Sequence, residues 1–175
     1  MTVYQSESTA GPKGLHVCAN VTTTFTRPSN TDIYAANDAV SDSTSAPTVL
    51  TLANAAYRSG GAGIIRGITM VKSTATVTLA AFSILILRTT FTGLEDNAAV
   101  DLSDAEARTI IAGVSFPAAD ALALGLNAVW SKTNLDIPFV CEAGGTSLYL
   151  VVRADDTYTP ASAERFDLTF LIERP

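Results

Sequence analysis

The stretch Val17-Cys18-Ala19-Asn20-Val21-Thr22-Thr23-Thr24-Phe25-Thr26-Arg27 decides the fold class. Val17, Ala19, Val21, Thr23 and Phe25 share one face of an extended chain; Cys18, Asn20, Thr22, Thr24 and Thr26 share the other. Side chains alternate across a strand, so this period of two predicts a β-strand with one face toward a core. Thr is β-branched, which suits a strand, and its hydroxyl meets water without carrying a charge. Pro28-Ser29-Asn30 stops the run. On its N-terminal side, residues 1 to 16 are polar and broken by Gly11-Pro12-Lys13-Gly14, and they read as an extended arm.

The same alternation returns further along the chain. Glu164 to Glu173 places Phe166, Leu168, Phe170 and Ile172 on one face, and Ser147 to Ala154 does the same with Leu148, Leu150 and Val152. Further strands are predicted at Pro47–Ala53, Ile64–Val71, Thr76–Leu79, Phe82–Thr89, Ile110–Phe116, Asn127–Lys132 and Ile137–Cys141. Gly67 marks a bulge or a close approach. Phe82–Thr89 is apolar on both faces, as in a central strand or one whose outer face meets a partner. Asn37-Asp38 reads as a turn, and Phe91–Asp101 as an acidic loop. Ser103-Asp104-Ala105-Glu106 is a capping box ahead of a short helix over Asp104–Thr109. Ala118–Gly125 is open between helix and loop. Short strands at this spacing, with one short helix, predict an all-β, jelly-roll-like antiparallel sandwich. Residues 1–16 are expected to form the arm and residues 17–175 a single domain.

Composition narrows the function classes. Of 175 residues, 47% are hydrophobic and only 16% charged, against about 25% charged in an ordinary soluble domain. A chain of this kind can bury a sizeable core, and its surface is filled by Thr, Ser and Ala in place of charge. Seventeen Asp and Glu against 11 Lys and Arg leave a net charge of −6, which argues against a nucleic-acid partner. The longest apolar run, Leu79 to Leu87, falls far short of the roughly 20 residues that span a membrane, and no membrane partner is expected. Met1–Val17 lacks the basic and apolar regions of a secretory signal. Cys18 and Cys141 show no metal-ligand spacing and are expected as buried free thiols, with a disulfide only if their strands are neighbours.

Few residues offer catalytic chemistry. The single histidine, His16, lies at the edge of the arm. Gly113-Val114-Ser115-Phe116-Pro117 starts like a nucleophile elbow but ends in proline and lacks the following helix. Gly61-Ala62-Gly63 leads into a strand, where a dinucleotide fingerprint would open a helix. Glu95, Asp96, Asp101 and Asp104, like Asp155-Asp156, read as solvated loop acids rather than a calcium site. No catalytic residue, cofactor or metal is assigned. Tyr, Trp and Arg dominate binding hot spots. The partner-binding candidates are Tyr4, Lys13, His16, Tyr34, Tyr57 and Arg58. Trp130, Tyr149 and Tyr158 are weighed beside them, with core packing preferred for Trp130 and Tyr149.

Several segments, in order, resemble a family of small tailed-bacteriophage virion structural proteins. Phe25-Thr26-Arg27-Pro28 followed by Thr31-Asp32-Ile33-Tyr34-Ala35-Ala36-Asn37-Asp38-Ala39-Val40 is similar to an N-terminal pattern of that family. Gly61 to Ile65, Asp96-Asn97-Ala98-Ala99-Val100, Asp104-Ala105-Glu106 and Ile137-Pro138-Phe139-Val140 follow. Leu148-Tyr149-Leu150 and Tyr158 to Glu164 complete the likeness, which spans residues 25 to 173. The resemblance implies a non-enzymatic β-sandwich component of the virion, assembled in the host cytoplasm. Its favoured role is a head decoration or cement protein that binds the major capsid protein, bridges capsomers and self-associates, most often as a trimer. The other reading is a tail or baseplate module that binds host carbohydrate.

Overall fold

A computed structural model describes residues 17–73 and 78–174. The strands are β1 (Val17–Thr26), β2 (Ala39–Val40), β3 (Leu50–Leu52), β4 (Ala62–Ser73), β5 (Phe82–Leu87), β6 (Ile110–Phe116), β7 (Leu122–Leu124), β8 (Asn127–Val140), β9 (Leu148–Ala154) and β10 (Arg165–Arg174). One helical turn, α1 (Asp104–Ala107), and a 3-10 turn (Ala118–Asp120) interrupt them. All pairings are antiparallel. One sheet has the order β1-β10-β4-β8-β7, the other β2-β9-β5-β6, and β3 also pairs with β9. The chain crosses between sheets after β1, β3, β4, β6, β8 and β9, and it brings its first and last strands together. This is the jelly-roll sandwich that the alternation predicts.

The core lies between the sheets. Phe166, Leu168, Phe170 and Ile172 of β10 are fully buried, and the intervening residues are more open. Phe82 of β5 meets three rings edge-on: Trp130 at 5.6 Å, Tyr158 at 5.4 Å and Phe166 at 5.5 Å between centroids. Edge-to-face contact sets the positive rim of one ring on the negative face of another, which adds to the gain from burial alone. Trp130 is packed in this core, and its indole N–H donates to the Pro117 carbonyl at 3.0 Å.

Four expectations need correction. Asn127–Lys132 and Ile137–Cys141 are not separate strands: β8 runs through both and absorbs the break as a register shift opposite Gly67, with Asn134 at φ 59°. Gly67 is the close-approach point, since a Cβ there would lie 3.1 Å from the Lys132 carbonyl oxygen. Of the strand expected at Thr76–Leu79, Thr76 and Val77 lie outside the described residues, and Thr78 and Leu79 have no regular structure. The helix ends at Ala107, although its capping box forms as expected, with the Glu106 amide donating to the Ser103 hydroxyl. Cys18 is exposed on the outer face of β1; Cys141 alone is buried, and both thiols are free.

The outer apolar face of β5 is covered by the chain itself. Residues 88–109, between β5 and β6, fold back across that sheet, and Phe91, Leu94, Val100 and Leu102 pack with Leu85, Leu87 and Val151. The far tip of this excursion is fastened at one end of the sandwich. There the Ala39 amide donates to the Ala98 carbonyl at 2.7 Å, and Asp96 is buried. Asp96 accepts from the Arg27 guanidinium at 2.9 Å, from the Ser41 amide at 2.9 Å and from the Tyr34 hydroxyl. Both side chains of the Arg27–Asp96 pair are closed to solvent. The Tyr34 ring stacks on Tyr158 at 4.9 Å. Beside it Lys72 pairs with Glu164 at 3.1 Å, again with both side chains closed to solvent. Burial pushes the phenol pKa of Tyr34 and of Tyr158 well up, helped by Asp96 and Glu164 respectively, so both remain neutral donors. Burial also lowers the Lys72 pKa, and the Glu164 charge opposes that shift. Asp96 is therefore not the solvated loop acid that its sequence context suggests.

Removing one partner of a buried pair leaves an uncompensated charge. Asp96→Ala is expected to destabilise the fold by about 3–5 kcal/mol in urea unfolding, because Arg27 then stays buried alone. The exposed cap offers a gentler test. Hydrogen bonds from the Ser103 hydroxyl and from the Thr92 and Ser103 amides hold the Glu106 carboxyl down from its ordinary 4.5 to about 2. A lowered carboxylate pKa stabilises above its unfolded value and loses that contribution as the pH falls through the folded one. The amide resonances of Thr92 and Ser103 should titrate with a midpoint near 2, not 4.5.

Candidate functional site: a basic groove at the open end

β4 links the two ends of the sandwich. Lys72 belongs to the closed end just described, and Ala62 to Ile64 lie about 30 Å away at the other, given roughly 3.3 Å of rise per residue. Here the N-terminus of β4, the C-terminus of β8 and the start of β6 enclose an open groove of about 610 Å³. Phe139 and Ile64 give it apolar walls, Ile110 and Val140 are its exposed apolar rim, and Arg88 and Arg108 also line it. Gly63 makes this shape possible, because a Cβ at that position would fall 2.6 Å from the Phe139 ring. β6 pairs with β5 alone among the described strands, so its other edge is free beside the groove.

At Ala62 the groove adjoins a second depression of about 330 Å³, formed with Tyr57, Arg58 and Gly61. Tyr57 is 56% exposed, and the Arg174 guanidinium lies 4.8 Å from its ring centroid. Arg174 is itself only 7% exposed, and its Nε–H has no hydrogen-bond partner. Buried polar groups normally have one, so this atom marks the region as unusual.

The electrostatics of the open end differ from the rest of the molecule. Arg27, Arg66, Lys72, Lys132, Arg153 and Arg165 each hold a carboxylate in ion-pair contact. Among the described residues the cations without such a contact are Arg58, Arg88, Arg108 and Arg174, and all four border these two adjoining depressions or stack on their tyrosine. Among the described residues the positive charge without an ion-pair partner is gathered at one place.

Of the sequence candidates, Tyr57 and Arg58 fall within this region and both are exposed. Tyr34 is corrected: it is fully buried in the closed end and presents no ring to a partner. Tyr158 is likewise buried, and Tyr149 is half-buried beneath the 88–109 excursion. Tyr4, Lys13 and His16 lie outside the described residues. Sequence reasoning missed Arg88, Arg108 and Arg174, which come from three separate segments with no shared spacing. Ser115 stands exposed on β6, which leads into a 3-10 turn rather than a helix. Among the described residues no three His, Cys, Asp or Glu side chains converge to hold a metal ion, and no helix is long and apolar enough to cross a membrane. No protein-family model matches the chain, and no curated protein matches it.

Gly63→Ala should push the Phe139 ring out of the groove. Overpacking of this kind costs about 1–3 kcal/mol. The expected result is a lower unfolding midpoint, with chemical-shift changes centred on residues 62–64 and 138–140.

Proposed function

We propose that this chain is a non-enzymatic virion structural protein that decorates the outer surface of a tailed-bacteriophage head, bridging capsomers and self-associating, with the trimer as the favoured state. One observation carries the reading. Segments that give the sequence its likeness to phage virion proteins meet in a single buried unit: Arg27, Tyr34 and Asp96 bond to one another, and Tyr158 stacks on Tyr34 while Glu164 accepts from Tyr158. A charge-poor surface suits the role, because it can be buried on a neighbour without desolvating many ions. Leu122, Leu124 and Leu126 stand more than half exposed on the β7–β8 hairpin and offer apolar area for such contacts. The carbohydrate-binding alternative calls for exposed aromatics around one loop cluster, whereas Tyr34, Trp130 and Tyr158 are in the core.

In this reading residues 1–16 act as a clamp on a neighbouring subunit, with each modest contact multiplied by the symmetry of the shell. Electron microscopy of the intact particle tests both parts. The protein should occupy the outer face of the head, and deletion of residues 1–16 should lower its occupancy while the far-ultraviolet spectrum stays that of a β-protein. Density at the tail alone would sink the decoration role; undiminished occupancy after deletion would sink the clamp.

A further inference from the structure

We propose that the groove between β6 and β8 is a docking site for an extended acidic polypeptide segment of a partner protein. Charge is the first reason. Arg88 and Arg108 line the groove and hold no carboxylate among the described residues, whereas the one carboxylate of the lining, Glu173, is paired with Arg66, which also meets Asp136. A guanidinium binds a carboxylate through two parallel hydrogen bonds, so a pair of free arginines selects acidic side chains spaced along a strand. Shape is the second. The apolar walls, Phe139 and Ile64, suit the apolar side chains that alternate with acidic ones in an extended peptide. The edge of β6 that no described strand pairs with supplies backbone donors and acceptors for an added strand.

Other occupants fit less well. Nucleic acid carries a phosphate at every nucleotide and calls for an extended basic track, whereas the groove offers two arginines, Arg88 and Arg108. A small amphiphile needs a pocket that encloses most of its surface, but Val140 at the rim is 53% exposed and Ile110 36%. A polypeptide covers such an open rim along its length.

The experiment uses the purified full-length chain and so does not depend on the virion reading. A library of random linear peptides is panned against it, and the enriched peptides are followed by amide chemical shifts and by calorimetry. Enriched sequences should alternate acidic with apolar residues and should shift the amides of residues 62–64, 108–111 and 139–140. Affinity should fall by about tenfold or more in Arg88→Glu/Arg108→Glu, the equivalent of about 1.4 kcal/mol. Arg88→Lys/Arg108→Lys, which keeps charge but not the fork, should fall between. Both positions are exposed, so these variants are expected to fold. The proposal is overturned if nothing is enriched, if enriched peptides lack acidic residues, or if they bind the double Glu variant equally well. It is also overturned if sodium decanoate or a short oligonucleotide shifts the same amides more strongly than the peptides. Binding that appears only after residues 1–16 are removed would assign the groove to this chain's own segment and overturn it too.

Discussion

The buried contact between Arg27 and Asp96 is the constraint on which most of this structure depends. Arg27 follows β1, Asp96 sits at the tip of the excursion between β5 and β6, and Tyr34, which bonds to both, lies in the connection that leads to β2. With the Ala161 carbonyl, in the connection between β9 and β10, one guanidinium ties three long connections to the same corner. Charges closed to solvent are tolerated only when their remaining hydrogen-bonding sites are filled, and here the third and fourth partners of the guanidinium are the Asn30 side chain at 3.1 Å and the Ala161 carbonyl at 3.4 Å. With its tip held, the excursion lies across the second sheet and covers an apolar face that would otherwise be wet. The cluster of Phe91, Leu87 and Val151 is a consequence of that fastening as much as a cause of it.

The two ends of the sandwich are built on opposite electrostatic plans. At the closed end Arg27 and Lys72 are matched to Asp96 and Glu164 and sealed by Tyr34 and Tyr158. At the open end Arg58, Arg88, Arg108 and Arg174 pair with no carboxylate among the described residues, and a groove stands open between the sheets. Strand β4, with Gly67 absorbing the slip against β8, spans from one to the other.

Much of the fold was legible because strand alternation is local. The burial of Phe166, Leu168, Phe170 and Ile172, the bulge near Gly67, the turn at Asn37 (φ 80°) and the capping box at Ser103 all follow from residues within a few positions of one another. The misreadings share a different cause. Asp96 looks like a surface acid beside Glu95, and only a partner 69 residues away turns it inward. Tyr34 sits in a polar, irregular stretch, and its burial depends on Tyr158, which approaches through the last crossing of the chain. Tyr57 and Arg58 were found through their glycine-rich loop, but Arg88, Arg108 and Arg174 reach the same end from the end of β5, the C-cap of α1 and the end of β10, and no motif announces them. The break between residues 132 and 137 reads as a strand end because the sequence does not show that a facing glycine can take up the slip.

If Arg27 fastens the excursion as argued, its loss should act locally before it acts globally. Amide hydrogen exchange on Arg27→Met measures this directly. The amides of Ala39, Asn97 and Val100, which bond across the tip, should lose nearly all protection, while those in the centre of β4 and β10 should lose only as much as the fall in global stability. Uniform loss across both sheets, or unchanged protection at the tip, would contradict the account.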